Sequence, residues 1–236
     1  MIDIVTKIQH VDTQESALDE ISSLMSYPKV NVVSFINAHA YNMADNSDAF
    51  KHSLLNSDVL FRDGVGAKIL LKAYNKPAGY NANGTDLIPI ILNAFKNNNI
   101  CFIGTESPYI EQATAICRDK GINVVDYLDG FQTTQKMSEF VEHHQPRILI
   151  LGMGMPKQEA FSMFLKSNYA SPLLIINGGA IFDFMANRFD RAPTFFRNNG
   201  LEWLYRLTNE PKRLFKRYVL GIPIFIMKLL KHKAAE

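Results

Sequence analysis

The chain has 236 residues, 47% hydrophobic and 20% charged, a mixture that excludes disordered and fibrous classes and fits one globular domain, alone or with an appendage. Its two cysteines, Cys101 and Cys117, sit in apolar stretches; they exclude a disulfide framework or a cysteine zinc site and fit a reducing compartment. The net charge of +2 conceals an asymmetry: residues 206–236 carry eight Lys or Arg against Glu210 and Glu236, so this tail holds +6 and residues 1–205 hold −4.

In chain order, residues 1–8 lack the basic start and apolar core of a secretory signal, and a cytoplasmic chain is expected. Short runs rich in Val, Ile, Leu and Phe then predict strands over 30–36, 58–62, 100–104, 122–127, 147–151 and 173–177. Between them, helical spacing predicts helices over 38–55, 66–74, 86–95, 109–120, 134–143 and 157–166. Such alternation implies an α/β fold, a mostly parallel sheet with helices on both faces. Ligands of these sheets bind beyond the carboxyl ends of the strands. That edge collects Asn37, Asp63, Gly104 to Glu106, Asp126, Asp129, the 152–159 turn and Asn177-Gly178-Gly179.

Asp63-Gly64-Val-Gly66 puts a carboxylate just past a strand, where it can serve as a general base for an attacking hydroxyl; equally, Asp-Gly is a common turn dipeptide. Gly84-Thr85-Asp86 opens a helix, and Thr85 or Asp86 suits its cap. Gly152-x-Gly154-x-Pro156 fits a tight turn into a helix whose free N–H groups suit a phosphate, or a purely structural turn. The third glycine of the dinucleotide fingerprint and the Gly-Lys-Ser/Thr of a phosphate loop are absent. His39 suits a substrate contact or, more commonly for a lone His near a strand end, a hydrogen-bonded structural role, and His143-His144 reads as a solvated helix end. With no His-Glu-x-x-His, Cys/His cluster or Asp-x-Asp pair, neither a metal nor a cofactor is expected. A diphosphate leaving group without a metal would need cations or backbone donors, and the tail arginines can supply the cations.

The longest apolar run, residues 218–227, contains Gly221 and Pro223 and falls short of the roughly twenty residues of a spanning helix. The tail interleaves its cations with Leu214, Phe215, Tyr218, Ile222, Ile224, Phe225, Ile226, Leu229 and Leu230. That pattern favours an anionic membrane surface over nucleic acid, with a core helix or a homo-oligomer contact as the alternative.

Taken in order, several segments resemble the bacterial WecG/TagA/CpsF glycosyltransferases. They are Asn37 with its helix, Asp63-Gly-Val-Gly66, Gly84-Thr-Asp86, Gly152-Met-Gly-Met-Pro-Lys-Gln158-Glu159, Asn177-Gly-Gly-Ala-Ile-Phe-Asp183, Arg191-Ala-Pro193, Gly200-Leu-Glu-Trp-Leu-Tyr-Arg206 and Glu210-Pro-x-Arg213-x-x-x-Arg217-Tyr218. The resemblance spans roughly residues 30–220 and implies a Rossmann-like domain, 1–199, followed by a basic helical appendage, 200–236, that docks on the membrane and completes the site. It implies inverting, metal-independent transfer of N-acetylmannosamine or a related sugar from UDP to a polyprenyl-diphosphate-linked glycan, at the cytoplasmic face of the membrane. By the same resemblance, Asp63 activates the acceptor hydroxyl, and Gln158 and Asn37 position sugar or acceptor. Gly104, Gly152 to Gly154, and Asn177 to Gly179 would hold the nucleotide; Arg206, Arg213 and Arg217 would neutralise diphosphate. Gly84, Thr85, Asp86, Glu159 and Arg191 complete the expected substrate-binding set. The chain departs from the family pattern at Phe35, where many members have Thr, at Asn81, where they have Arg, and at Phe195, where they have Trp. A different sugar, a hexose or a uronic acid, is compatible with those changes.

Two other classes compete. A dinucleotide-dependent cytosolic oxidoreductase would need the missing glycine fingerprint and acidic ribose partner. A noncatalytic membrane-surface scaffold would tolerate loss of the Asp63 carboxylate.

Overall fold

The computed structural model describes residues 1–234; Glu236, counted in the tail charge, lies outside the described residues. Among the described residues, six strands form one sheet: β1 (Val30–Ile36), β2 (Val59–Arg62), β3 (Ile100–Gly104), β4 (Val124–Asp129), β5 (Ile148–Gly152) and β6 (Leu173–Asn177). Their order is β2-β1-β6-β5-β3-β4 and every pairing is parallel. All but β4 are buried along their length, which is why they read as continuous apolar runs instead of alternating ones. The edge strand β4 lies two residues further along than its composition predicts.

Two helices that the strand-helix alternation did not predict precede β1: α1 (Ile2–Lys7) and α2 (Gln14–Met25). A reciprocal Thr13/Ser16 capping box starts α2, each side-chain oxygen accepting the other residue's backbone N–H at 3.1 Å. The single helix expected over 38–55 is two, α3 (Ala38–Asn46) and α4 (Asp48–Leu55), because Ser47 turns extended and its hydroxyl caps the Phe50 N–H at 3.2 Å. Then come α5 (Gly64–Ala73), α6 (Gly84–Ala94), α7 (Tyr109–Asp119), α8 (Thr134–His144), α9 (Lys157–Asn168) and α10 (Ile181–Met185). One sheet face packs against α2, α6, α7 and α10, with Phe35, Phe61, Phe102, Ile150 and Ile176 pointing into that core. The opposite face is covered by α8 and α9 over the middle strands, and by α1, α3, α4 and α5 near β1 and β2.

The tail forms α11 (Thr194–Asn198), α12 (Glu202–Asn209), α13 (Pro211–Phe215), a π-helical turn (Lys216–Leu220) and α14 (Gly221–Ala234). Phe225 and Leu229 of α14 are buried in the same cluster as α3. Phe225 meets the Tyr41 ring edge-on, with centroids 5.4 Å apart. Asn42 Nδ2 donates to the Gly221 carbonyl at 2.7 Å, while Lys228 and His232 hold Asp45 at 2.7 and 2.6 Å. No helix among the described residues is long and apolar enough to cross a membrane.

Sheet order opens one crevice at the carboxyl edge. From β3 the chain leads outward to β4, and from the adjacent β5 it leads the other way to β6. Between their carboxyl ends lies a topological switch point, where Gly104 and Gly152 are register partners.

Candidate active site

Residues Ile36 and Arg62 are partners at the ends of β1 and β2, so the next residues, Asn37 and Asp63, emerge side by side. Asn37 Nδ2 donates to Asp63 Oδ2 at 3.0 Å, and its Oδ1 caps α3 by accepting from the Ala40 N–H at 3.0 Å. One amide therefore fixes both a helix start and a carboxylate, leaving Asp63 Oδ1 with no hydrogen bond to a described residue. Asn81 Oδ1 accepts from the Gly64 N–H at 2.7 Å, so the residue that departs from the family's Arg braces the Asp63 turn. Below it Arg62, buried, donates to the carbonyls of Tyr80, Gly64 and Gly79 at 3.2–3.3 Å. Burial pushes its pKa down and the Asp63 charge opposes that shift.

The tail reaches this turn at Gly200, which packs against Val65 and brings Glu202 in beside Asp63. Glu202 shares its surroundings with Arg191, Asp63, Arg206 and Asp86. Burial raises its pKa, Arg191 works against the rise, and Asp63 adds to it. Asp86 is spoken for: Asn83 Nδ2 donates to one oxygen at 2.7 Å and Arg191 reaches the other at 2.5 Å. The cap of α6 is Asn83, whose Oδ1 accepts from the Asp86 N–H at 3.0 Å, and not Thr85 or Asp86 as the sequence suggested. The expected arginines fall into two groups. Arg191 is tied to Asp86, and Arg213 to Glu210 at 2.5 Å. Arg206, over the Phe184 ring at 5.1 Å, and Arg217 have no carboxylate partner among the described residues, and both hide an Nε that meets no acceptor.

The glycine loops also divide. A Cβ on Gly104 or Gly152 would lie 2.6 or 2.3 Å from the Phe182 ring, and one on Gly178 2.6 Å from Ile181. These three glycines admit apolar packing. By contrast Gly154 and Gly179 have φ of +76° and +62° with open space around them, so their backbones are free to approach a ligand. Gly84 lies over Phe35, the first departure from the expected pattern, whose ring is 3.4 Å from where a Cβ would be. Phe195, the third departure, is exposed.

Gln158, expected to position sugar or acceptor, and Glu159 and Asn177, expected in the substrate-binding set, are all buried. Gln158 Oε1 accepts from the Gly179 N–H at 3.0 Å and its Nε2 donates to Glu159 Oε1 at 2.8 Å. Asn177 Oδ1 accepts from the Ser162 hydroxyl at 2.8 Å, and its Nδ2 donates to Ser34 Oγ at 2.9 Å. Their side chains shape the loop from beneath because every polar atom buried there needs a partner within the protein. At the rim, Thr105 Oγ1 donates to buried Asp183 at 2.8 Å, and Arg188 joins Asp183 to Glu106.

A cavity of about 590 Å³ runs between α6, α7 and α10. Of the charged cluster it touches Asp86 and Arg191, and the rest of its lining, including Pro89, Leu92 and Ile116, leads away from Asp63. Among the described residues no group of three or more His, Cys, Asp or Glu side chains is placed to hold a metal ion.

A model described as the Glycosyl transferase WecG/TagA/CpsF family matches residues 2–236. The chain belongs to this family. A relative from Bacillus spizizenii, N-acetylglucosaminyldiphosphoundecaprenol N-acetyl-beta-D-mannosaminyltransferase, is 30% identical over 188 residues, covering 78% of this chain and 72% of its own. As a WecG/TagA/CpsF member the chain is a glycosyltransferase. Two residues around the transferase's Asp63 were missed in the sequence: Arg62 and Glu202. Glu202 lies inside the Gly200 to Arg206 motif, the one signal that could have singled it out.

Proposed function

We propose that this glycosyltransferase moves N-acetylmannosamine or a related sugar from a UDP-sugar to a polyprenyl-diphosphate-linked glycan at the cytoplasmic face of the membrane, in the synthesis of a cell-surface polysaccharide. The acceptor follows from the Bacillus relative's name, which specifies a sugar on diphosphoundecaprenol. One observation carries the mechanism: Asp63 has one oxygen held by Asn37 and the other without a partner, at the mouth of the sheet and beside Glu202, the neighbour it shares with Arg206.

In the transfer, Asp63 Oδ1 takes the proton of the acceptor hydroxyl as that oxygen attacks the anomeric carbon. The bond from that carbon to the UDP oxygen breaks on the opposite side, and the configuration inverts. Arg206 and Arg217 offset the charge gathering on the departing diphosphate. The open backbones at Gly154 and Gly179 approach the nucleotide, and Gln158 acts by fixing Gly179.

Replacing Asp63 by Asn keeps the Asn37 contact surface and removes the base. Asp63→Asn is expected to leave UDP affinity nearly intact while lowering turnover by about 10² or more, the size of a lost general base. Single-turnover transfer with UDP-N-acetylmannosamine checks it, and equal rates in variant and wild type would take Asp63 out of the mechanism.

A further inference from the structure

The cavity of about 590 Å³ between α6, α7 and α10 has no part in the transfer described so far. It follows α6 from Thr85 and Asp86 in the first turn, past Pro89 and Leu92, to Asn93 near the end, a run of about 12 Å at the helical rise per residue. Helix α7 lines it with Ile116 and Cys117 and then Lys120, while Phe184 and Phe189 add an aromatic wall. A sugar lying along that middle stretch would give up water and find few partners for its hydroxyls. An alkyl chain needs no partner and gains by leaving water. Of the charged side chains in the lining, Lys120, Arg191 and Arg197 outnumber Asp86 and Asp190. The cavity therefore suits a molecule that is apolar along its length and anionic at its head.

Contacts at the mouth and along the wall join this cavity to the rest of the site. At its mouth Arg191 holds Asp86, and its Nε, hidden from solvent and without a hydrogen-bond partner, lies 4.0 Å from Glu202. Glu202 follows the Gly200 that packs on Val65, two residues past Asp63. Along the wall, the Phe184 and Phe189 rings are 6.0 Å apart and carry the guanidinium groups of Arg206 and Arg213 at 5.1 and 4.4 Å. The cavity thus touches both the charged cluster around the Asp63 turn and the basic, apolar tail. We propose that it holds the first isoprene units of the acceptor lipid, those next to its diphosphate, while the sugar on the other side of that diphosphate reaches Asp63. This rests on the transferase reading and deepens it, because the acceptor is then recognised by its chain as well as by its sugar. The chain is held by apolar burial, and no bond forms or breaks in the cavity.

Three soluble acceptors test it on the full chain: N-acetylglucosaminyl diphosphate as its methyl, geranyl and farnesyl esters, kept below micelle-forming concentrations and without vesicles. Initial rates give KM for each. Burial of ten carbons is expected to lower KM by about tenfold or more from methyl to geranyl. Ile116 and Pro89 line the cavity from opposite helices and are partly exposed and exposed, so both positions have room for a larger side chain. Ile116→Trp and Pro89→Trp each fill the cavity, thermal melts check that they fold, and each should bring the geranyl KM back towards that of the methyl ester. The same KM for all three esters in wild type would overturn the proposal. So would a chain-length dependence that survives in both folded variants, because the chain would then lie elsewhere, on the exposed tail. A methyl-ester KM that rises as much as the geranyl one would mean that the cavity takes the sugar, and would overturn it too. Failure of wild type both to bind UDP and to transfer sugar to any acceptor would instead remove the transferase reading, and the lipid site with it.

Discussion

Glu159 is a carboxyl group in a place that disfavours its charge. It is 1% exposed, Gln158 bonds to one of its oxygens, and the other has no partner. Burial pushes its pKa up to about 7 from an ordinary 4.5, with the Gln158 hydrogen bond pulling the other way. Between those two values the folded chain keeps a proton that the unfolded chain releases, so stability is full below about 4.5 and falls as pH rises towards 7. Glu159→Gln removes that loss: the variant should match wild type near pH 4.5 and exceed it by about 3 kcal/mol at pH 8. Denaturant midpoints across that range test it, and a gap that does not change with pH would contradict a buried, proton-retaining Glu159. At this scale the sequence named Asp63, Asn37, Gln158 and Glu159 together, and motif spacing could not sort them. Asn37 and Asp63 follow two paired strands and meet in the open. Gln158 and Glu159 begin α9, whose first turn is turned towards the interior. Which way a helix start faces depends on the sheet beneath it, and that is tertiary information.

Helix α14 shows the same division within one element. Its apolar residues look alike in the sequence, yet Phe225 and Leu229, four apart, face α3, while Met227 and Leu230 are 62% and 64% exposed. A composition argument assigns all of them to a membrane surface because it does not know that α3 is waiting. The break at Ser47 was equally hidden, since the helical pattern of 38–55 is continuous across it. Ending α3 there leaves Asp45 in its last turn, where Lys228 and His232 hold it. Phe225→Ala is expected to cost about 3 kcal/mol or more, the usual price of emptying a buried aromatic site. The effect should appear as a lower Tm together with faster proteolysis near residues 210–222; an unchanged Tm would mean that α14 contributes no packing. The π-helical turn between α13 and α14 breaks the 3.6-residue rhythm at the residues carrying Arg217, a place where such bulges recur in functional sites.

Over the whole molecule, the alternating runs foretold the parallel sheet and its layers, because strands buried on both faces announce themselves as unbroken apolar segments. Strand order was not legible, since it depends on crossovers between residues far apart in the chain. The charge asymmetry also survives folding. Beside the docked face of α14, the tail shows solvent Phe215, Val219, Leu220, Met227 and Leu230, with Lys212, Lys216 and Lys231 exposed among them. Replacing Met227 and Leu230 together by Glu leaves Phe225 and Leu229 in place, a cleaner test than cutting the tail away. The double variant should lose cosedimentation with vesicles containing phosphatidylglycerol, and wild-type binding should weaken as salt rises. Undiminished binding would place the membrane contact elsewhere. One feature ties the sheet together at its centre: the Phe182 ring lies where neither Gly104 nor Gly152 can carry a side chain. Three positions far apart in the gene are thereby bound into one inheritance. Exchanging either glycine alone drives a methyl group into an aromatic ring, and trimming the ring alone opens a hole, so each single step is downhill in fitness. Lineages that vary here must change the partners in concert, and in an alignment of relatives these three columns are expected to move as a set.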